Sequence, residues 1–447
     1  MRRTLWVLIG LSLFLMGCVP KAAEEEIGTA ESLPVITIGE DMSIIELATS
    51  FMEMFTTGRY EQMISDFNAT ENMRKAITAE IYAHAFDGMI NQNGEFISYS
   101  VTEVISTSDF DVIPIVVTCE KDSLIVNVVF DSDKLLAGFN FALYTPPKEV
   151  PSSLIESDIE VVTGSYRMPG KLVLPEGEAS VPLVIFVSGS GPNDMDSTIG
   201  PNKPLRDIAY GLAEEGIGSI RFTKRTAIYG KVIGECATID VEYIQDVVSA
   251  YDLARSIERV DRQRIFLLGH SLGGNLIPMI SQRLPATVGY IIAAGSVTPV
   301  EELMLLQYRH LLGKDGEIST DEKQILEKIE NGVNAIGALT SESEYTSAEL
   351  LGVPAVYWLS LKGYEPLEVA KGIEERLLIL QGEKDYQVPM SEFSQWKEAL
   401  PKAQFITYPE LNHLFMKSND TFDSNEYIDA QEVDIQVIED IAGFINH

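Results

Sequence analysis

An apolar strand pattern that leads directly into a Gly-x-Ser-x-Gly pentapeptide is the feature that most constrains the fold of this chain. Residues 265–268 are uncharged, residues 269–273 have the sequence Gly-His-Ser-Leu-Gly, and a helix-compatible segment covers residues 275–283. We expect a buried strand that turns sharply into a helix and holds the Ser271 hydroxyl at the tip of the turn. Glycine at both ends of the pentapeptide lets neighbouring backbone approach closely, because it has no Cβ.

Two further strand patterns follow Ser271, and each precedes a residue suited to proton transfer. Asp385 comes just after the apolar run 376–382, and His413 lies in the loop after the pattern 403–408. Because open α/β sheets keep their sites at the carboxyl ends of the strands, the three side chains are expected to lie together. Serine, acid and histidine in this order favour a nucleophilic serine over an incidental serine in a glycine-rich turn.

The choice of histidine follows by elimination, whereas the acid has one competitor. Besides His413, the chain has four histidines in less suitable places: His84 in a helix of a separate region, His270 in the turn and pointing away from Ser271, His310 in a helical insertion, and His447 at the end of the sequence. Glu383 lies close to Asp385 in sequence. An aspartate that only stabilises a turn is the structural alternative for Asp385.

Residues from about 155 to 446 resemble an α/β-hydrolase of the serine esterase and S33-type peptidase-like group. The segment 184–194, Val-Ile-Phe-Val-Ser-Gly-Ser-Gly-Pro-Asn-Asp, carries this resemblance together with the three residues above and two segments between 199 and 226. Relatives usually have histidine where this chain has Ser188. The resemblance implies an α/β-hydrolase fold, with a mostly parallel, doubly wound sheet and a helical lid.

The chemistry of such a site requires a base, an acid and an oxyanion hole. A serine hydroxyl is a weak nucleophile at neutral pH, so His413 must accept the proton of Ser271, and Asp385 must hold the imidazole in the useful tautomer. Pre-aimed N–H groups must also stabilise the tetrahedral oxyanion. The expected donors are the backbone N–H of Leu272 and that of Ser190 or Gly189.

The first residues resemble a bacterial lipoprotein signal. A basic pair at residues 2–3 precedes an apolar stretch over residues 5–16, which is shorter than the roughly 20 residues of a membrane-spanning helix, and Leu-Met-Gly-Cys ends at Cys18. We expect residues 1–17 to be a cleaved signal peptide, and residues 18–39 to be a flexible tether that begins with a lipidated Cys18. Two acyl chains would anchor the protein stably at the outer face of the cell membrane. The alternatives are an ordinary signal peptide or a buried helix with a chance cysteine.

Composition limits the partners and cofactors. The chain has 33 basic and 67 acidic residues and a net charge of −34, which argues against nucleic acid and against electrostatic attraction to anionic lipid. Cys119 and Cys236 lie in different regions, so no disulfide framework is implied. The sequence has no His-Glu-x-x-His, no P-loop and no zinc-type cysteine spacing, so we expect neither a metal nor a cofactor.

Residues from about 40 to 145 are predicted to form a separate α+β unit. A capping box at residues 43–46 opens an amphipathic helix that ends near Gly58. Alternating apolar residues over 124–130 predict strands. Apolar residues at helical spacing predict another helix that contains Met73, Ile77, Ile81 and Ala85. The region resembles the module of unknown function (DUF3887) found ahead of some secreted hydrolases.

The hydrolase domain is predicted at residues 152–447, after a proline-rich linker at residues 144–151. A stretch from about 298 to 372 interrupts the alternation of strands and helices, and its helical spacing predicts an inserted lid. Tyr357 and Trp358 lie near the end of this lid segment. They either line an acyl or alcohol pocket or pack the lid itself.

The sequence leaves two classes of function. The first is a serine hydrolase that cleaves carboxylic esters of small substrates through an acyl-enzyme. A serine peptidase or amidase for small peptides is its nearest alternative, because both chemistries use the same three residues. The second class is a non-catalytic, lipid-anchored binding protein on a hydrolase fold, which the complete set of three residues disfavours.

We expect Cys18→Ser to move the protein from the membrane fraction to the soluble or unprocessed fraction, because the change removes the lipid attachment site. Cell fractionation and mass spectrometry of the N-terminal peptide measure both effects. Native protein found free in the medium with residue 18 unmodified would contradict this prediction.

Overall fold

The computed structural model describes residues 38–447 apart from residues 40, 102–103, 107–109, 145, 147, 315 and 317. The chain forms two compact units, of which one ends at Ala142 and the other runs from Leu143 to His447. The expected signal peptide and Cys18 lie outside the described residues. Within these residues, no helix has both the length and the apolar character needed to cross a bilayer.

The first unit combines helices with an antiparallel sheet. Its helices are α1 (Ile44–Thr56), α2 (Tyr60–Asp66), α3 (Glu71–Ala76) and α4 (Ala79–Asn93). Its strands are β1 (Phe96–Val101), β2 (Ile105–Ser106), β3 (Phe110–Cys119), β4 (Ser123–Asp131) and β5 (Leu136–Leu143). They are arranged in the order β1-β3-β4-β5, with β2 beside β3. Residues on β4 alternate between buried and half-buried positions, as the period of a strand with one face on a core requires. The predicted α+β class is confirmed.

Helix capping explains one correct and one wrong prediction in this unit. The Ser43 N–H donates to the Glu46 carboxylate at 2.7 Å, and the Ser43 hydroxyl accepts the Glu46 N–H at 3.3 Å, so the predicted capping box is present. The single helix predicted from Met73 to Ala85 is wrong, because the chain breaks between α3 and α4. Ile77 is extended, and the Thr78 hydroxyl accepts the N–H of Ile81 at 3.3 Å. A new cap therefore replaces continued helix.

The second unit alternates strands with helices. Its strands are β6 (Leu154–Thr163), β7 (Tyr166–Pro175), β8 (Val181–Val187), β9 (Gly218–Phe222), β10 (Val260–His270), β11 (Gly289–Ala293), β12 (Leu377–Gly382) and β13 (Gln404–Tyr408). Its α-helices are α5 (Pro204–Glu214), α6 (Arg225–Ile233), α7 (Gln245–Ser256), α8 (Leu272–Ser281), α9 (Val300–Leu312), α10 (Thr320–Ala338), α11 (Ala355–Leu361), α12 (Pro366–Ala370), α13 (Met390–Ala399) and α14 (Ile435–Asn446). A π-helical turn at Asp240–Ile244 leads into α7.

Strand order identifies the fold of this unit. The strands lie in the order β13-β12-β11-β10-β8-β9-β7-β6. Neighbours from β13 to β9 are parallel, whereas β7 is antiparallel to both β6 and β9. A parallel sheet with β8 and β9 exchanged in order and an antiparallel strand near one edge is the α/β-hydrolase fold. The expected fold class is confirmed.

Helices cover both faces of this sheet because its central strands are apolar on both sides. On β8, Leu183, Ile185 and Val187 face the core shared with α7, α8 and α13. Val184 and Phe186 face the core shared with α5 and α14. This double burial is typical of parallel sheets. Helices α9 to α12 lie between β11 and β12, where the sequence places the lid segment.

We expect a shortened chain of residues 152–447 to fold by itself, because both hydrophobic cores of the second unit are built from residues between Leu154 and Ile445. Urea unfolding followed by near-ultraviolet circular dichroism is expected to show one cooperative transition. A soluble chain that lacks such a transition would contradict the prediction.

Candidate active site

A strained turn presents Ser271 between β10 and α8. Ser271 has φ 56° and ψ −122°, a conformation that costs about 1–3 kcal/mol for a residue other than glycine. The flanking glycines are required by close packing: a Cβ at Gly269 would collide with the Gly273 backbone, and one at Gly273 with the Val187 carbonyl. The backbone therefore fixes the serine at the carboxyl end of the central strand, as the sequence predicts.

The loops that carry Asp385 and His413 pack against each other at the same edge of the sheet. The N–H of Lys384 donates to the Leu411 carbonyl at 3.0 Å. Lys384 directly precedes Asp385, and Leu411 lies two residues before His413. A Cβ at Gly382 would collide with the Leu411 carbonyl, so only glycine allows this approach. Because β10 to β13 are all parallel, both loops lie at the same end of the sheet as the turn after β10.

Asp385 and His413 form a buried hydrogen-bonded pair. The distance from His413 Nδ1 to Asp385 Oδ2 is 2.7 Å. A carboxylate only accepts, so Nδ1 carries the proton and Nε2 keeps its lone pair. The Asp385 carboxylate also accepts from the N–H groups of Gln387 and Val388 at 2.8 and 2.9 Å, and from the Gln381 amide at 2.9 Å.

The competing acid, Glu383, lies outside this arrangement. Its side chain is exposed and accepts a hydrogen bond from the Thr407 hydroxyl at 2.7 Å. Asp385 is therefore the carboxylate that the structure brings to His413.

The turn that carries Ser271 contacts this pair through His270, and the Ser271 hydroxyl itself makes no hydrogen bond with the pair. Within the described residues, no hydrogen bond joins the Ser271 hydroxyl to the His413 ring. The ring of His270, the residue before Ser271, lies 4.7 Å from the His413 ring between centroids. Catalytic hydrogen bonds commonly tighten only when substrate binds, so this arrangement is compatible with proton transfer from Ser271 to His413.

His270 has a position that the sequence analysis missed. Its Nε2–H donates to the His413 backbone carbonyl at 2.8 Å. Burial, and secondarily the charge of a protonated His413, lower the His270 pKa from 6.5 to about 4. His270 is therefore neutral at pH 7 and holds the backbone of the candidate base. The partner lies 143 positions away, so no local pattern indicates it.

The expected oxyanion donors lie around Ser271. A Cβ on Gly189 would lie 3.2 Å from the Ser271 Cβ and 3.6 Å from its Oγ, so the 189–191 loop passes directly beside the serine. Leu272 is the first residue of α8, where N–H groups have no partner within the helix. Among the described residues, no protein acceptor takes the N–H of Leu272 or of Ser190.

Three side chains missed by sequence reasoning hold this loop. The Gly189 carbonyl accepts hydrogen bonds from the Tyr243 hydroxyl at 2.7 Å, the Asn193 amide at 3.0 Å and the Lys224 ammonium at 3.1 Å. Lys224 belongs to a segment that carries the family resemblance, but that resemblance did not assign it a role.

The two lid aromatics occupy different surroundings. Trp358 lines a cavity of about 160 Å³ whose other lining residues include Leu272, Asn275, Glu301 and Tyr364. Tyr357 is not among the lining residues; its hydroxyl interacts with Glu242. Both rings belong to the core beneath the lid segment.

Sequence comparison identifies proteins that are similar to both units of this chain. Residues 48–139 match the family described as protein of unknown function (DUF3887). Over 404 residues the chain is 31% identical to Esterase EstD of Thermotoga maritima, in an alignment that covers 88% of this chain and 93% of that protein. The chain belongs to the same family as this esterase. The alignment is longer than the second unit, so the similarity extends into the first.

Two solved structures show a weaker similarity to this chain. Est1E from Butyrivibrio proteoclasticus is 14% identical, covers 65% of this chain and 97% of its own, and has a TM-score of 0.42. The esterase domain of a Rhodothermus marinus protein is 13% identical, with the same two coverages and a TM-score of 0.41. The fold assignment rests on the strand order described above.

The first lid helix, α9, is bound to the loop that carries Asp385. The Gln307 amide on α9 donates to the Gln387 carbonyl at 2.9 Å. The His310 ring on the same helix stacks on Tyr386, with 5.8 Å between centroids. His310, which the sequence places in the lid, therefore contacts the neighbour of the acid.

We expect His270→Gln to remove part of the protein's loss of stability in acid, because glutamine keeps an N–H donor and does not titrate. As pH falls from 6.5 towards 4, His270 becomes protonated in the unfolded protein but stays neutral in the folded protein. Proton binding therefore favours the unfolded state, and the wild type loses stability. The free energy of unfolding, measured with urea, is expected to fall by up to about 3 kcal/mol more in the wild type than in the variant. Equal losses in both proteins would contradict the assignment.

Proposed function

We propose that this protein is a serine hydrolase that cleaves carboxylic esters of small substrates through an acyl-enzyme intermediate. The observation that carries the proposal is the buried Asp385–His413 hydrogen bond of 2.7 Å beside the strained turn that presents Ser271. Membership of the same family as an esterase supports the choice of esters.

In the proposed acylation step, Ser271 Oγ attacks the ester carbonyl carbon and its proton passes to His413 Nε2. Asp385 stabilises the imidazolium through the existing hydrogen bond to Nδ1–H. The carbonyl oxygen becomes an oxyanion and accepts hydrogen bonds from the N–H groups of Leu272 and Ser190. The intermediate then collapses: the bond to the alcohol oxygen breaks, and His413 gives the proton to the departing alcohol.

Deacylation repeats these steps with water as the nucleophile. His413 Nε2 takes a proton from water while the water oxygen attacks the acyl carbon. The second tetrahedral intermediate releases the carboxylic acid, and the proton returns from His413 to Ser271 Oγ.

The size of the cavity beside the turn supports a small acyl or alcohol group. Its volume of about 160 Å³ is below the roughly 300–1,000 Å³ of pockets for drug-sized ligands. Leu272, whose N–H is a proposed oxyanion donor, and Trp358 both line it. A group bound there would lie close to the reacting carbonyl.

We further propose that the enzyme is exported and lipid-anchored through Cys18. The basic pair, short apolar stretch and Leu-Met-Gly-Cys sequence of the first 18 residues support this location. The membrane partner is then the lipid attached to Cys18 rather than a protein helix.

We expect Ser271→Ala and His413→Ala each to lower kcat for a short aryl ester by about 10⁴-fold or more, because the two side chains act as one unit. For the same reason, the double variant is expected to be no slower than the slower single variant by more than a few-fold. Initial rates on p-nitrophenyl butyrate provide the measurement. A fluorophosphonate is expected to label Ser271 in the wild type.

Matched variants test the acid. Asp385→Asn is expected to lower kcat by about 10⁴-fold, because the amide donates to Nδ1 and selects the wrong tautomer. Glu383→Gln is the control, since it removes an acid two residues away that does not contact His413. Multiplicative losses in the Ser271 and His413 double variant, or equal losses at positions 383 and 385, would contradict the assignment.

A further inference from the structure

We propose that Lys224 and Tyr243 are positioning residues that aim the Ser190 N–H at the oxyanion. The inference rests on the proposed function, because it concerns how this chain builds the oxyanion hole for the same reaction. Neither residue is expected to touch the substrate. Both act through the Gly189 carbonyl.

The contacts on the Gly189 carbonyl are unusually complete. Tyr243, Asn193 and Lys224 donate to it at 2.7, 3.0 and 3.1 Å. A carbonyl oxygen has two lone pairs, so three donors saturate it. Tyr243 and Lys224 are each 3% exposed, so two of these bonds are shielded from water.

Fixing the Gly189 carbonyl also fixes the direction of the Ser190 N–H. The Gly189 carbonyl and the Ser190 N–H belong to one peptide, and no peptide bond in the described chain is cis. In a trans peptide the two groups point in opposite directions. The carbonyl points into the buried cluster, so the N–H points away from it, on the loop that passes beside Ser271. Donors on the carbonyl also polarise the peptide and strengthen its N–H as a donor.

Lys224 supplies a fixed positive charge behind this peptide. Its three ammonium hydrogens have three acceptors: the Gly189 carbonyl at 3.1 Å, the Tyr243 hydroxyl at 2.7 Å and the Glu242 carboxylate at 2.8 Å. A neutral amine has two hydrogens and could donate to only two of these three groups. Burial lowers the Lys224 pKa, and the adjacent Glu242 carboxylate opposes that shift.

Neighbouring side chains keep the cluster rigid. Glu242 accepts the Thr226 hydroxyl at 2.9 Å and interacts with the Tyr357 hydroxyl of α11. The Lys224 ammonium also lies 4.0 Å from the centroid of the Tyr243 ring. Tyr357, one of the two lid aromatics, thereby contributes to the support of the oxyanion loop.

Two variants test the proposal in the full chain. Tyr243→Phe removes one donor and keeps the ring, and Lys224→Met removes the charge and keeps most of the side-chain length. We expect kcat to fall about tenfold in Tyr243→Phe and about 10²-fold in Lys224→Met. Loss of a whole oxyanion donor lowers kcat by roughly 10²–10³-fold, so the first effect lies below this range and the second at its lower end. KM is expected to stay within about twofold.

An aryl trifluoromethyl ketone provides the readout that a merely structural role would not move. Its carbonyl adds Ser271 Oγ to form an oxyanion in the same hole, so its inhibition constant follows transition-state stabilisation. We expect this constant to rise by the same factor by which kcat/KM falls.

Matched controls separate this effect from general destabilisation. Tyr290→Phe removes a buried hydroxyl that donates to the Leu284 carbonyl at 3.1 Å. Arg225→Met removes a buried cation paired with Asp246. Both controls are expected to lower stability while the folded enzyme keeps the wild-type kcat and inhibition constant.

The outcomes distinguish this inference from the proposed function. Folded Tyr243→Phe with wild-type kcat, or with a lower kcat and an unchanged inhibition constant, would overturn the inference while an inactive Ser271→Ala left the esterase assignment in place. If Lys224→Met does not fold, Tyr243→Phe decides alone. A wild type that neither hydrolyses esters nor labels at Ser271 would overturn both.

Discussion

The structure of the site depends on the close backbone packing around the turn between β10 and α8. Position 273 touches the end of β8, and position 269 touches position 273, so a side chain at either would push the strands apart. This packing holds Ser271 in a conformation that it would not adopt alone. The central sheet is apolar on both faces and is clamped by two helical layers, so it resists relaxation of the turn.

The candidate base is fixed at two points. Its ring is held by Asp385 and its backbone carbonyl by His270, which precedes the nucleophile. The same strand end therefore positions both the serine and the histidine. A general base held in this way loses little freedom on reaching the reactive geometry, which is where much of the benefit of a preorganised site arises.

Sequence patterns predicted the features that depend on residues close together in the chain. The elbow, the loops of Asp385 and His413 and the sheet class follow from strand patterns with particular residues just after them. The contacts of His270 and Lys224 did not follow, because their partners are 143 and 35 positions away. The helix break at Ile77 was also missed, because the apolar residues keep their helical spacing across the break. The N-cap at Thr78, which begins a new helix, carries no weight in that spacing.

Three basic side chains are buried inside this acidic protein. Although acidic residues outnumber basic ones two to one, three basic residues just at and after β9 are almost completely buried: Arg221, Lys224 and Arg225. Each is paired with one or more carboxylates. Removing one partner of such a pair leaves a buried charge without compensation, so this segment tolerates few single changes.

The hydrogen bond between Gln307 and Gln387 connects the lid helix α9 directly to the loop that carries Asp385. Gln387 accepts from the helix through its carbonyl and donates to Asp385 through its N–H, so one residue transmits force in both directions. A displacement of α9 would pull on the segment that holds the carboxylate. The shape of the cavity, which the start of α9 lines, and the position of the Asp385 carboxylate are therefore coupled through one residue, Gln387.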